Sequence, residues 1–321
     1  MSTDERDIAE LLADAPSNWG RWGDDDEVGA LNYLTEEEVL RGVRAVEHGK
    51  TFTLGLPIGR PGGDPVWPGR SGADHYMELD KGHFEAGKVD VPGAAGLEYA
   101  DDVVYMFLQG TTQFDALGHV WYDDRLYNGF DAGTTKGGME YCSIEPMAEH
   151  GVVGRGVLLD VARHRGRDRL DRGERITLDE LLDCADEQGV EIEKRDVPII
   201  RTGWIELFYE EGADAFYGDE FAEPGITYSR DLVEWFHGME IPAFGTDTVA
   251  NEQTVSDETE TILPLHGALL RDQGVAFNEI NRLDELAADC DDDGKYDFLY
   301  VGAPLKIVGG TGSPVNPIAI K

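Results

Sequence analysis

Basic residues are scarce: 27 Lys and Arg face 65 Asp and Glu in a chain of 321 residues, a formal net charge of −38. Backbone phosphates and anionic lipid headgroups are normally gripped by Lys and Arg, so this balance excludes nucleic acid and membrane surfaces as partners. Cysteine is scarcer still. Cys142, Cys184 and Cys290 are three, far apart and without a CxxC pair, which excludes a disulfide framework and a thiolate metal site and reads as reduced packing thiols in a cytoplasm. No apolar run approaches the length of a membrane span. The start "MSTDERDIAELLADAP" lacks the basic, apolar, small-residue order of a secretory leader, so a cytoplasmic location is expected. No GxSxG elbow is present, which argues against a serine hydrolase, and the Gly-rich "KIVGGTGSPVNP" lacks the lysine of a nucleotide loop.

What is present suits a folded enzyme. Hydrophobic residues make up 41% of the chain, and the acids are scattered among periodic apolar positions rather than blocked, which excludes disorder. Near-molar salt shortens the screening length to about 3 Å, so a surface this acidic fits a salty cytoplasm; a salt-adapted, halophile-like source is expected. Short apolar runs, "VVYMFL", "RGVLLDVA", "VPIIRTGW", "IPAFGTD" and "PLKIVGG", read as strands of a mixed sheet. "TLDELLDCADEQG", "SRDLVEWFHGM" and "LHGALLRDQG" have helical spacing and end at or near Gly. The alternation predicts an α/β fold with a mixed β-sheet and flanking helices. No linker cuts the chain, so one domain over 1–321 is expected, with 1–50 a helical extension packed on it; within that extension Thr35 caps "EEEVLRGVR". A Pro/Gly loop, "GRPGGDPVWPGRSGAD", is placed to overhang a pocket.

The stretch "LQGTTQFDALGH" carries the chemistry. In extended chain Gln109, Thr111, Gln113 and Asp115 share one face, and the turn "ALG" delivers His119 beside them. Carboxylate and amide oxygens on one strand end suit a hard cation. The same letters equally describe a half-exposed strand with two solvated glutamines.

The context narrows this. "NWGRWGDDDEVGALNYLT", "QGTTQFDALGHVWYDDRLYNG", "GVLLDVAR", "RTGW", "LHGALLRDQGVAFNEINRLDELAADC" and "PLKIVGGTGSPVNPIA", in that order, resemble the cyclase-like metal-dependent hydrolases, a group that includes kynurenine formamidase and isatin hydrolase. The resemblance implies a sheet of the swivelling β/β/α type and homo-oligomers, a dimer or tetramer. The family's HxGTHxD motif, followed by xPxH, falls on Gln109 to Asp115 and then on His119. Both ligand histidines are glutamine here, while Asp115 and His119 are kept. His266 and Glu279 match the family's later histidine and glutamate. The resemblance therefore implies a divalent metal held by Gln109, Gln113, Asp115, His266 and Glu279, with His119 as acid/base.

An amide oxygen donates weakly, so exchanging two imidazoles for two amides shifts the expected ion from zinc toward manganese or magnesium, with calcium also accommodated. The implied reaction is hydrolysis of an amide, N-formyl or cyclic amide bond in a small aromatic or cyclic substrate, of the kind met in tryptophan catabolism. The alternatives are a silent relative that binds a metabolite, or a cyclic ester hydrolase or dehydratase on the same scaffold. Trp19, Trp22, Trp67, Trp121 and Tyr122 are available to wall a ring, Trp121 and Tyr122 first because they follow His119. "DCDDDGKY" imitates a calcium loop but has Tyr300 at the twelfth place, and reads as a solvated turn. "GGTGS" reads as tight backbone packing beside the site, and Asp247 and Glu252 in "FGTDTVANE" read as caps.

Overall fold

The computed structural model describes residues 7–93 and 95–321; the first six residues of the amino-terminal segment read above, and Ala94, lie outside the described residues. Nine strands, numbered along the chain, form one mixed sheet: β1 Thr51–Thr53, β2 Gln113–Asp115, β3 Val152–Asp160, β4 Val197–Arg201, β5 Ala243–Thr246, β6 Ala276–Glu279, β7 Asp297–Gly302, β8 Gly312–Pro314 and β9 Ile318–Ile320. Their spatial order is β1-β9-β7-β3-β4-β5-β6-β2-β8. The run from β3 to β6 is parallel, and both flanks are antiparallel. The central strands are buried on both faces, which is why "GVLLD" and "VPIIR" are continuous rather than alternating apolar runs.

The helices start and stop where their side chains dictate. Thr177 accepts from Glu180 N to open Leu178–Gln188, and Gly189, with φ +69°, closes it in the left-handed conformation. Ser229 opens Arg230–Gly238, and Thr35 with Glu38 forms a reciprocal capping box on Glu36–Arg44. The segment before β1 is tied to the body by both packing and hydrogen bonds. Leu12, Leu31 and Leu34 enter the main core, Asn18 N donates to Asp272 O, and Ala30 N donates to Gly274 O. Gly29 approaches Gly274 so closely that a Cβ there would lie 2.5 Å from its carbonyl oxygen. No described helix is long and apolar enough to cross a membrane, and the three thiols are buried and unpaired.

Several stretches depart from the sequence reading. The run "VVYMFL" does not enter the large sheet: Asp101–Tyr105 pairs with Asp74–Leu79 in a separate two-stranded ribbon, leaving Val103 46%, Val104 50% and Tyr105 72% exposed. Its β propensity is satisfied, but nothing covers either face. "PLKIVGG" is a loop with Leu305 and Val308 exposed, because β7 ends at Gly302, Pro304 offers no N–H, and Gly309 turns the chain with φ +67°. "DCDDDGKY" is no solvated turn but the end of helix Asp284–Asp293; Asp289 and Asp293 bind the buried Lys321 Nζ at 2.9 and 2.7 Å. "LHGALLRDQG" winds as a π-helix over His266–Asp272, a wider turn that often marks a functional position.

Candidate metal site

The site is assembled where β2 and β6 pair. Their antiparallel register sets Gln113 opposite Glu279, and the period of two carries Asp115 to the same face. Gln113 Nε2 donates to Glu279 Oε2 at 2.5 Å. His266, first residue of the π-helix, places Nε2 3.5 Å from Glu279 Oε1 and packs its ring edge-on against Phe277. One ligand atom each from Asp115, His266 and Glu279 fall within 4.8 Å of one another, and all three residues are buried.

These groups are under-satisfied as they stand. Both carboxylate oxygens of Asp115, Glu279 Oε1 and Gln113 Oε1 are buried without a hydrogen-bond partner. A buried acceptor left unpaired costs about 1–3 kcal/mol, so a cluster of them calls for a counter-ion. Burial first, and then the charge of Asp115, push the Glu279 carboxyl up to about 8. Burial alone would pull His266 down, but its hydrogen bond to Glu252 and the nearby charges of Glu252 and Glu279 more than offset this and hold it above its ordinary value. A proton on this imidazole stands in for positive charge, and a cation would compete with it. The donor set of carboxylates, one imidazole and an amide oxygen fits a divalent ion, with oxygen in the majority.

Glu252 proves central to the arrangement. It accepts from Leu265 N and His266 N, each at 2.8 Å, and from His266 Nδ1 at 2.6 Å. Its cap role is thus real, but the same carboxylate fixes the imidazole so that Nε2 faces the cluster, the arrangement that orients metal-binding histidines. Asp247, by contrast, is only a cap, accepting from Thr202 and Gly203. Glu252→Gln is expected to lower affinity for Mn²⁺ about 10–100-fold, read by calorimetric titration of the metal-stripped protein; unchanged affinity would detach Glu252 from the site.

The expected extended run from Gln109 to Asp115 is not formed; only Gln113–Asp115 is strand, and Leu108–Gly110 is a turn. The cause is Thr112, whose hydroxyl donates to Ile280 O at 2.5 Å and accepts from Leu56 N at 2.9 Å, fastening the chain on the far side. Gln109 consequently reaches the site from the turn. Its Nε2 donates to Thr311 O at 2.9 Å and lies 3.5 Å from His119 Nδ1. The carbonyl of Thr311 can only accept, which settles which end of the amide faces it. Gly312 makes room for that amide: a Cβ there would lie 2.5 Å from Gln109 Nε2, so "GGTGS" is the close backbone packing expected of it.

His119 stands at the rim, 20% exposed, with Nε2 3.9 Å from Asp115 Oδ2. Burial lowers its pKa from the ordinary value, His266 and Arg70 lower it further, and Asp115 opposes them. The ring is therefore neutral near pH 7. Trp121 is 48% exposed, and Tyr122 is built into the support of the π-helix: its hydroxyl donates to Asp272 at 2.7 Å and the Arg271 guanidinium covers its ring at 3.7 Å. Of the rings expected to wall a substrate, Trp67, from the Pro/Gly loop, lines a cavity together with Tyr217 and Phe221.

Comparison with known proteins agrees with this geometry. The family model "Cyclase" (putative cyclase) matches residues 52–253. A crystal structure described as a novel cyclase superposes with a TM-score of 0.85 at 39% identity, covering 95% of this chain and 100% of that one. Isatin hydrolase A from Labrenzia aggregata, bound to benzyl benzoate, shares the fold with a TM-score of 0.60 at 20% identity, over 86% of this chain and 94% of that one. The isatin hydrolase of Roseibium aggregatum is 26% identical over 122 residues, 38% of this chain; the match spans 43%, less than half, of that relative's length.

Proposed function

Because the chain belongs to the cyclase family, we propose that it is a metal-dependent hydrolase of a carbon–nitrogen bond in a small amide, N-formyl or cyclic amide substrate. The observation that carries this reading is the set of unpartnered buried oxygens on Gln113, Asp115 and Glu279 beside a neutral imidazole. Asp115, His266 and Glu279 would hold the ion, with Gln113 Oε1 next to them; the oxygen majority favours manganese or magnesium over zinc. When bound, a divalent cation supplies a Lewis acid that polarises a carbonyl and makes water more acidic.

The chain's own groups do the rest. His119 presents Nε2 toward the cluster and, being neutral, takes a proton there from the attacking water and returns it to the departing nitrogen. Gln109 Nε2 lies 3.5 Å from His119 Nδ1, too long to fix which ring nitrogen holds the proton, and turnover requires Nε2 to be the unprotonated one. Gln113 restrains Glu279 and keeps the carboxylate aimed across the site. The isatin hydrolase relative, a hydrolase of a cyclic amide by its name, supports the reaction class.

The experiment is metal analysis of the purified protein followed by a screen of N-formylkynurenine, isatin and simple lactones with Mn²⁺ or Mg²⁺ restored. Metal-dependent cleavage of an amide supports the reading. Cleavage of lactones alone moves it to the ester class, and absence of bound metal replaces it with a metabolite-binding relative.

A further inference from the structure

Glu223 is a carboxylate that the hydrolytic chemistry leaves unused. It is wholly buried, and both of its side-chain oxygens share one donor, Val249 N, at 2.9 and 3.0 Å. Burial pushes its carboxyl up to about 8; the charges of Glu279 and then Asp247 add to this, and the N–H groups of Val249 and Ala250 oppose it. The nearby imidazole of His266 is committed to Glu252 and Glu279 instead. An acid kept inside the protein with neighbours of its own sign is costly, so its place calls for a reason.

The reason lies in what Val249 belongs to. Residues 247–252 leave β5 as a loop that ends in Glu252, the carboxylate that aims His266. Asn251 sits in the left-handed region with φ +58°, and Glu252 N donates to Ala250 O at 2.6 Å, so the loop is tightly wound. Glu223 holds the middle of it. The residues that follow Glu223 hold its end: Gly225 lies so close that a Cβ there would fall 2.5 Å from the Glu252 carbonyl carbon, Ile226 forms a parallel bridge with Glu252, and Gln253 N donates to Ile226 O at 2.9 Å. Beyond them Glu223 N donates to Thr254 Oγ1 at 2.8 Å. One short segment thus grips the loop on both sides of the group that orients the imidazole.

We propose that Glu223 is a positioning residue of the metal site, acting through the Val249 N–H and its loop on Glu252, and so on the His266 ring. This rests on the metal-dependent reading, but its first measurement needs no ion. In metal-free protein the His266 Nδ1–H bonded to Glu252 is followed by proton NMR, its assignment taken from its loss in His266→Gln. Glu223→Asp keeps the charge and withdraws the carboxylate by one methylene, out of reach of Val249 N. Glu223→Gln keeps the reach and removes the charge. In Glu223→Asp the resonance is expected to shift or broaden away, and Mn²⁺ affinity, read by calorimetric titration, to fall at least about tenfold. Glu223→Gln, whose amide oxygen still accepts from Val249 N, keeps both near wild type. Gly225→Ala presses on Glu252 from the other side and should repeat the loss without touching the carboxylate; it decides in the same way should melting curves show Glu223→Asp unfolded. Resonance and affinity unchanged in Glu223→Asp overturn the assignment by making Glu223 a packing group, and equal loss in Glu223→Gln overturns it by making the charge the cause. Failure of wild type to take up Mn²⁺ would instead defeat the hydrolase reading, and the imidazole resonance would still decide the role of Glu223.

Discussion

Asp115→Ala is expected to leave the protein folded and almost free of metal, with hydrolysis lost. Among the described residues, Asp115 is the one carboxylate whose two oxygens are both buried and both without a protein partner, so its contribution to the fold is unfavourable unless a cation is present. Its removal also relieves Glu279, whose carboxyl is pushed up by burial and then by the Asp115 charge. The ion-free variant should accordingly melt no lower than ion-free wild type. The contrast appears on adding Mn²⁺: a ligand at a hundred times its Kd stabilises the native state by about 2.7 kcal/mol, raising the melting temperature of wild type and not of the variant. Metal analysis and paired melting curves measure both effects. Full metal content in Asp115→Ala would remove the cluster from the function.

His119→Ala is expected to have the opposite signature, with metal retained and turnover lost. General acid/base groups typically contribute 10²–10⁴-fold, and the loss should fall on kcat. His119 is not one of the three residues, Asp115, His266 and Glu279, whose ligand atoms lie within 4.8 Å of one another. The wild-type pH profile carries a second test. A base works only when neutral, and burial, with His266 and Arg70, lowers the His119 pKa below the ordinary 6.5. Activity should therefore persist as pH falls through 6.5 and be lost at a lower pH, and the residual activity of His119→Ala should lack that acid limb. An acid limb unchanged in the variant would assign the proton to another group.

The sequence made the central strands, the helix caps and Asp115, His119, His266 and Glu279 readable, because each depends on periodicity, on a local cap or on an ordered motif. What escaped it depends on distant partners. Glu252 was readable as a cap from its place after a strand, but its bond to His266 joins positions 14 residues apart through a loop of no fixed period. "VVYMFL" has the letters of a core strand, and letters do not record that its ribbon has only one neighbour. The extended run through Gln109 fails because Thr112 is fastened to Ile280, 168 residues away.

The pairing of β2 with β6 joins residues 166 positions apart at Gln113 and Glu279. During synthesis, at about 5–20 residues per second, the first half of the centre therefore leaves the ribosome roughly 8–30 s before the second. A nascent chain carries isolated, hydrated acids that have no reason to hold an ion. Competence arrives only with the last third of the polypeptide, so a prematurely terminated product would be inert rather than partly active.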